Sequence, residues 1–288
     1  MWVNTLKTFV LLTALTLILV YLGSYFGGST GGLIALTFAA IINFASWFYS
    51  DRIAVASVGA REVSREEAPD LHAMVEEVAM AAGLPKPRIY IAPIPQPNAF
   101  ATGRDPKHSA VVFTEGILRL LNRRELKGVI GHELAHIKNR DILVMSVVAT
   151  VAGAIMFLVD MLRWAAFFGF GGRDRDRGNP LVLLGMIIVL PIVVLLIRLA
   201  ISRAREYLAD YYGAKFTKDP EALASALEKL ALGVQAVPSE VPQHMSHMFI
   251  VNPFSGSFLA ELFSTHPPVE KRIKRLRELA QDPSFFLS

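Results

Sequence analysis

The chain has 288 residues, of which 53% are hydrophobic and 19% are charged, with a formal net charge of +4 and no cysteine. The mean hydropathy of +0.42 is too high for a purely soluble globule, whereas the charged fraction is too high for an entirely membrane-embedded bundle. We therefore expect a membrane-anchored soluble domain. The absence of cysteine excludes disulfides, thiolate catalysis and cysteine-type zinc fingers, so a metal site must use His, Asp or Glu. Because the basic residues lie beside apolar runs and not among exposed aromatics, we expect no nucleic-acid partner.

Four apolar runs predict membrane-embedded helices. Residues 8–25 and 31–49 carry no charge, and each is close to the ~20 residues that cross ~30 Å of hydrocarbon. The glycine-rich residues 26–30 between them predict a tight turn and thus a helical hairpin. A second run directly after the first favours a retained anchor over a cleaved signal peptide. Residues 142–159 and 181–197 predict a second hairpin.

The segments outside these runs have the patterns of a mixed soluble domain. Apolar spacing predicts a helix over residues 66–82 that Gly83 and Pro85 end, and Thr114 is predicted to cap the helix that follows it. Alternation predicts short strands at residues 88–91, 98–103 and 110–113. Further helices are predicted at residues 124–141, 202–212, 221–232 and 269–279, with an irregular stretch at residues 234–264.

Most basic residues near the span ends would share one side of the membrane, which predicts a cytosolic catalytic domain. Arg163, Arg173, Arg175 and Arg177 would lie on the other side. These four disagree with the bias, so residues 142–197 either span the bilayer or form long helices partly buried in the protein.

The sequence His-Glu-Leu-Ala-His at residues 132–136 predicts a metal site. On a helix, His132 and His136 are about 40° apart, so one Zn²⁺ can bind both imidazoles at about 2.0–2.1 Å. Glu133 is placed to hold a zinc-bound water and take its proton. The motif therefore predicts metal-assisted hydrolysis.

A second helix carries two carboxylates four residues apart, Glu206 and Asp210. A catalytic zinc needs a third protein ligand and one open position, and Glu206 can supply that ligand. Asp210 can accept the free ring N–H of a zinc-bound histidine and so set its tautomer. The alternative is a solvated helix face on which Arg205 pairs with Glu206.

These segments, HELAHIKNRD and SRAREYLADYYGA, resemble the bacterial heat-shock membrane proteases of the HtpX family, which is related to the CAAX prenyl proteases. PNAFATG and STHPPVEKRI match as well, and the resemblance covers nearly the whole chain. It implies zinc ligands His132, His136 and Glu206, with Glu133 as general base. It further implies a gluzincin-like domain facing the cytosol from the inner membrane, and cleavage of misfolded membrane proteins under stress.

Two matching segments allow more than one interpretation. Asn98, Ala99 and Phe100 begin either an edge strand that pairs with an extended substrate or an ordinary covered strand. His266 is either a donor to the oxyanion of the reaction or a packed loop histidine, and Arg272 could orient its loop. Phe249, Phe254, Phe258 and Phe263 are expected to form an apolar wall over the cleft.

The expected fold is an α+β zincin-like (gluzincin) catalytic domain fused to transmembrane helices. Its predicted divisions are residues 1–50 (transmembrane hairpin), 51–141 (first catalytic part), 142–199 (second hairpin) and 200–288 (second catalytic part). The expected activity is that of a zinc endopeptidase with one Zn²⁺ per chain, in a multi-pass membrane protein whose partners are the bilayer and unfolded membrane proteins. A zinc-bound scaffold without hydrolytic activity and a prenyl-protein protease are the alternatives.

Overall fold

The computed structural model describes residues 2–152, 203–239, 241–253 and 266–287. Its helices are α1 (Trp2–Ser57), α2 (Pro69–Ala82), α3 (Glu115–Leu120), α4 (Arg123–Asn139), α5 (Asp141–Ala152), α6 (Arg203–Thr217), α7 (Pro220–Ala236), α8 (Val269–Gln281) and α9 (Pro283–Leu287). Its strands are β1 (Arg61–Glu62), β2 (Arg88–Ala92), β3 (Ala99–Asp105) and β4 (His108–Thr114), and a 3-10 helix covers Gln243–Met248. The end of the third apolar run, the fourth run, their connecting loop and Phe254, Phe258 and Phe263 lie outside the described residues.

Helix α1 folds back on itself. Its backbone is helical except at Gly28, where φ is 60° and ψ is −151°. The Asn43 amide donates a hydrogen bond to the Thr16 hydroxyl, 27 residues earlier, at 2.9 Å. A straight helix would separate these residues by about 40 Å at 1.5 Å per residue, so the two limbs must lie side by side. The chain therefore reverses at one glycine and not over the expected five-residue turn.

The second limb of α1 has the properties of a membrane span. Gly28–Ser57 is 30 residues long and contains an 18-residue window with a mean hydropathy of 1.7. Among the described helices it is the one long and apolar enough to cross a bilayer. Helix α5 is also apolar but shorter over its described part. The helix continues seven residues past position 50, so the first predicted division ends inside α1.

The described strands form one mixed sheet in the order β1-β2-β4-β3. Strand β2 is parallel to β4, which aligns Ile89 with Val111, and β3 is antiparallel to β4. The three predicted strands are confirmed with slightly longer bounds, whereas the two-residue β1 was not predicted. Strand β3 lies at the edge of the sheet, as one of the two interpretations expected.

Local capping determines where the helices begin and end. Gly83 is left-handed (φ 67°) and ends α2, and the Thr114 side chain accepts from the Ile117 N–H at the start of α3, as expected. Asn122 and Glu125 form a capping box at the start of α4. The predicted helix through residue 141 is wrong in one respect. Helix α4 ends at Asn139 because Arg140 is left-handed (φ 59°), and Asp141 begins the next helix.

The apolar core lies between the sheet and the helices that pack on it. It joins α2, α4 and α7 through residues such as Val75, Ile130 and Leu227. The segment expected to be irregular is more ordered, since α7 continues to Ala236 and the 3-10 helix follows. Phe249 is fully buried against Phe100, with ring centroids 5.0 Å apart. It therefore belongs to the core and does not form an exposed apolar wall.

Candidate metal centre

Three side chains from two helices converge on one point. His132 and His136 lie on α4, and their Nε2 atoms are 3.2 Å apart. Glu206 lies on α6, with its carboxylate oxygens 3.7 Å from His132 Nε2 and 3.6 Å from His136 Nε2. All three residues are buried. One ligand atom from each residue lies within 4.8 Å of the other two, which is close enough to hold a metal ion. The structure shows this arrangement among the residues that it describes.

A glycine contact brings the two helices close enough for this arrangement. A Cβ on Gly131 would lie 2.6 Å from the Gly213 carbonyl oxygen, and one on Gly213 would lie 2.6 Å from the His132 nitrogen. Real Cβ atoms do not approach backbone atoms so closely, so only glycine fits at these two positions. The backbones of α4 and α6 therefore touch, and Glu206 reaches the histidines although it lies 70 residues beyond His136.

The donor set fits a divalent metal ion. Ligands about 2.0–2.1 Å from a tetrahedral ion are about 3.3 Å from one another, close to the separations found here. Glu206 Oε2 is buried without a hydrogen-bond partner, which is costly for a carboxylate oxygen unless a cation compensates it. The geometry and the chemistry of the three side chains thus agree with a metal site.

Glu133 lies next to the ligands on the side of the sheet. The backbone N–H of Ala101 in β3 lies near the carboxyl group of Glu133 and favours its ionised form. Burial raises the pKa of Glu133 to about 7, and the negative charge of Glu206 raises it too, while His136 opposes this. A carboxyl group poised near neutral pH can accept and release a proton, as a general base requires.

The pKa values of the two buried histidines shift in opposite directions. Burial and the positive charge of Arg272 lower the pKa of His132 to about 4, although the hydrogen bond with Asp210 opposes the shift. Burial also disfavours charge on His136, but Glu206 and Asp141 outweigh it and raise the pKa of His136 to about 9. The neighbouring carboxylates therefore favour the protonated form of His136.

Asp210 lies where the sequence predicts a partner for a metal-binding histidine. Its Oδ1 is 3.0 Å from His132 Nδ1, so His132 Nε2 is left to face the metal position. Fully buried Arg272 donates two hydrogen bonds to Asp210, at 2.7 and 2.9 Å, and a third to the Ile250 carbonyl at 2.8 Å. Arg272 therefore anchors the Asp210 carboxylate and the chain near Ile250, whereas sequence reasoning expected it to orient the loop of His266.

His136 has its own carboxylate partner, which sequence reasoning missed. His136 Nδ1 is 3.3 Å from Asp141 Oδ2, and both side chains are buried. Asp141 closes the HELAHIKNRD segment, so the signal was present in the motif. Asp141 was not predicted as a partner because a continuous helix would place residue 141 about 140° away from His136.

His266 comes close to the metal position from a third segment. Its Nε2 is 3.8 Å from Glu206 Oε2, and the residue is buried. Burial lowers the pKa of His266, although Glu206 opposes the shift. The buried histidine therefore lies beside Glu206, within the group of side chains that surrounds the metal position.

The outer side of β3 and the residue before it already form hydrogen bonds with another segment of the chain. The Ala99 carbonyl accepts from the Ile250 N–H at 3.1 Å, and the Asn98 side chain bonds both the N–H and the carbonyl of Val251. Phe100 aligns with Val112 of β4, and its side chain is in the core. The strand is thus at an edge, but Asn98, Ala99 and Phe100 are covered by the protein's own chain in this structure.

A buried His-His-Glu group with an adjacent carboxyl group, on a chain with a helix long and apolar enough to cross a membrane, is typical of a membrane metalloprotease. The comparisons with known proteins agree. The model of the family described as Peptidase family M48 matches residues 65–280. This chain belongs to peptidase family M48.

Curated relatives match over nearly their whole length. The "Protease HtpX homolog" of Pyrococcus furiosus is 53% identical over 283 residues, covering 98% of this chain and 97% of the relative. The protein of the same name from Aquifex aeolicus is 52% identical, covering 92% and 89%. The one from Syntrophotalea carbinolica is 51% identical, covering 96% and 99%. The resemblance to the HtpX family is confirmed.

One solved structure supports the fold. The crystal structure of S. mikatae Ste24p superposes with a TM-score of 0.50 at 17% identity, covering 96% of this chain and 66% of that chain. This likeness shows that the two chains share a fold.

Proposed function

We propose that the protein is a zinc-dependent endopeptidase that hydrolyses internal peptide bonds of misfolded or damaged membrane proteins. The observation that carries this proposal is the meeting of four buried side chains: His132, His136 and Glu206 as ligands, and Glu133 beside them. One Zn²⁺ per chain fits the three ligands and leaves one position open. A metal-binding scaffold has no need of a carboxyl group tuned near neutral pH at this place.

The chemistry divides between the ion and the chain. A bound zinc ion would supply Lewis acidity and lower the pKa of water in its open position. Glu133 accepts the proton of the attacking water and returns it to the nitrogen of the leaving amine. His266 is placed to donate a hydrogen bond to the oxyanion that develops on the scissile carbonyl. Asp210 holds the His132 ring so that Nε2 faces the metal.

Substrate access to the site runs along the edge strand. An extended segment adding to β3 would lie beside Ala101, whose N–H is next to Glu133. At Asn98 and Ala99 this requires Ile250 and Val251 to move away, because they hold those hydrogen bonds. The proposed substrate strand at Asn98, Ala99 and Phe100 therefore needs an opened form of the protein.

Contacts with the apolar helices support a membrane-protein substrate. The Ser146 hydroxyl of α5 is 2.8 Å from the Thr102 hydroxyl and accepts from the Gly103 N–H, so β3 lies against an apolar helix. At the same end of β3, the Arg104 guanidinium is 5.5 Å from the centroid of the Phe48 ring in α1. The catalytic edge thus adjoins the parts of the chain that anchor it in the bilayer.

The remaining features of the proposal are a zincin-like α+β fold and a multi-pass arrangement in the inner membrane. The catalytic parts, residues 51–141 and 200–288, would face the cytosol between hairpins at residues 1–50 and 142–199. The chain lacks cysteine, so a single cysteine at Glu66 or Ser284 reports cleanly on topology. Both positions should resist an impermeant thiol reagent in intact cells and react after lysis, and labelling before lysis would refute this orientation.

Cleavage of an unfolded membrane protein by detergent-purified enzyme tests the activity itself. We expect cleavage at internal sites, loss of activity with a chelator, and recovery with one equivalent of Zn²⁺. A matched soluble, folded substrate should be cut far more slowly. Chelator-resistant cleavage would refute the metal mechanism, and recovery with another divalent ion but not with zinc would refute the choice of zinc.

A further inference from the structure

Both metal-binding histidines have a carboxylate at the ring nitrogen that faces away from the metal position. Asp210 serves His132 and is itself held by Arg272. The second pair repeats this arrangement with different residues. Asp141 Oδ2 is 3.3 Å from His136 Nδ1, and the Arg205 guanidinium is 3.4 Å from Asp141 Oδ1.

The second arrangement joins the two helices that carry the ligands. Asp141 follows the end of α4, which holds His136, whereas Arg205 directly precedes the ligand Glu206 on α6. The side chains of Asp141 and Arg205 are 2% and 14% exposed. One buried carboxylate therefore contacts a ligand on one helix and the neighbour of a ligand on the other.

We propose that Asp141 and Arg205 are a positioning pair for the metal centre. Asp141 accepts the Nδ1–H of His136 and so orients the ring with Nε2 toward the metal, and Arg205 holds that carboxylate in place. The inference rests on the proposed metal site. It adds two residues that act through His136 and touch neither the substrate nor the reacting atoms.

A backbone feature makes the Asp141 contact possible. Five residues along a continuous helix correspond to about 140° of rotation, which would direct residue 141 away from His136. Arg140 adopts φ 59°, a left-handed conformation that is uncommon for a residue other than glycine. The turn it produces starts α5 in a new direction, with the Asp141 side chain reaching back to His136.

The alternative is that the pair merely ties α4 to α6, and metal affinity separates the two roles. The measurements are zinc affinity by competition with a chromophoric chelator, and the melting temperature of the metal-free protein, both on the full-length chain in detergent. Glu125→Gln is the matched control. Glu125, in the first turn of α4, is likewise a buried, ion-paired acid, but it bonds Ser225 and Lys229 away from the site.

Asp141→Asn should weaken zinc binding by about 10–100-fold, as is usual for outer partners of metal-binding histidines. Arg205→Gln should weaken it in the same direction by a smaller factor, at least about threefold. The double variant should bind zinc about as well as Asp141→Asn alone, because Arg205 acts through Asp141. Glu125→Gln should lower the melting temperature with no loss of affinity.

Zinc affinity of Asp141→Asn within about twofold of wild type, with only a lower melting temperature, would overturn the inference. If Asp141→Asn fails to fold, Arg205→Gln decides, and unchanged affinity there overturns it equally. Glu206→Gln shows whether the site itself is right. If wild type binds no zinc, or Glu206→Gln binds it as tightly as wild type, the metal-site proposal fails, and this inference fails with it.

Discussion

Replacing Glu133 by Gln is the most direct test of the proposed chemistry. Gln has the same shape, and its side-chain oxygen can stay near the Ala101 N–H. It cannot take a proton from water. A positioned general base contributes ~10²–10⁴-fold, which is about 3–5.5 kcal/mol of transition-state free energy. We therefore expect kcat/KM to fall by a factor in that range.

The same substitution should leave the metal site and the fold intact. None of the three ligands changes, so zinc content should stay at the wild-type level. Burial and Glu206 raise the pKa of Glu133, which means that its ionised form destabilises the folded protein above the unfolded-state pKa of 4.5. A neutral Gln removes that cost, so the metal-free variant should melt at the wild-type temperature or higher at pH 8.

Cleavage rate, zinc content and melting temperature should be measured on one preparation. Glu125→Gln is the matched control, since it makes the same chemical change in another buried residue of α4 and should keep full activity. Activity of Glu133→Gln within about threefold of wild type would refute the general-base role. Loss of zinc together with activity would instead make Glu133 part of the ligand set.

Three further predictions concern the metal site. Glu206→Gln should abolish stoichiometric zinc binding, whereas Asp210→Asn should weaken it by about 10–100-fold. Competition with a chelator measures both affinities. A larger loss of affinity in Asp210→Asn than in Glu206→Gln would refute Glu206 as the ligand. Gly131→Ala should force α4 and α6 apart, at a cost of about 1–3 kcal/mol in unfolding free energy, and should lower zinc affinity. Gly128→Ala, equally crowded but against α7, should lower stability alone, and equal zinc affinities in the two variants would contradict the spacing argument. Finally, zinc must displace a proton from His136, because the pKa of this histidine is raised to about 9. The affinity for zinc should therefore rise as the pH rises from about 6 to about 9. An affinity that does not change over this range would contradict the prediction.

Elements defined by short-range patterns were predicted well. The end of α2 at Gly83, the Thr114 cap and the three strands all follow from residues within a turn or a strand of one another. Errors arose where a backbone conformation is not encoded by residue type. Arg140 adopts a left-handed conformation without being glycine, so the end of α4 was placed two residues late.

The arrangement around the site depended on contacts between distant segments. Nothing near Phe249 in the sequence indicates that it packs on Phe100, nearly 150 residues earlier, and its aromatic side chain suggested an exposed wall. Likewise, the edge position of β3 was expected, but its occupation by Ile250 and Val251 required the fold. Such pairings depend on how side chains from the whole domain are buried together. A short stretch of sequence does not contain that information.

The sequence by itself determined the chemistry that one helix can hold: His132 and His136 on one face, Glu133 beside them, and an apolar anchor before them. Helical periodicity is a local property, and it places residues four apart together in any context. Only the tertiary structure decided how the site closes. The Gly131–Gly213 contact sets how near Glu206 comes, and the turn at Arg140 directs Asp141 to His136. These depend on the packing of α4 against α6, where shape and buried charge in two distant segments must match at once.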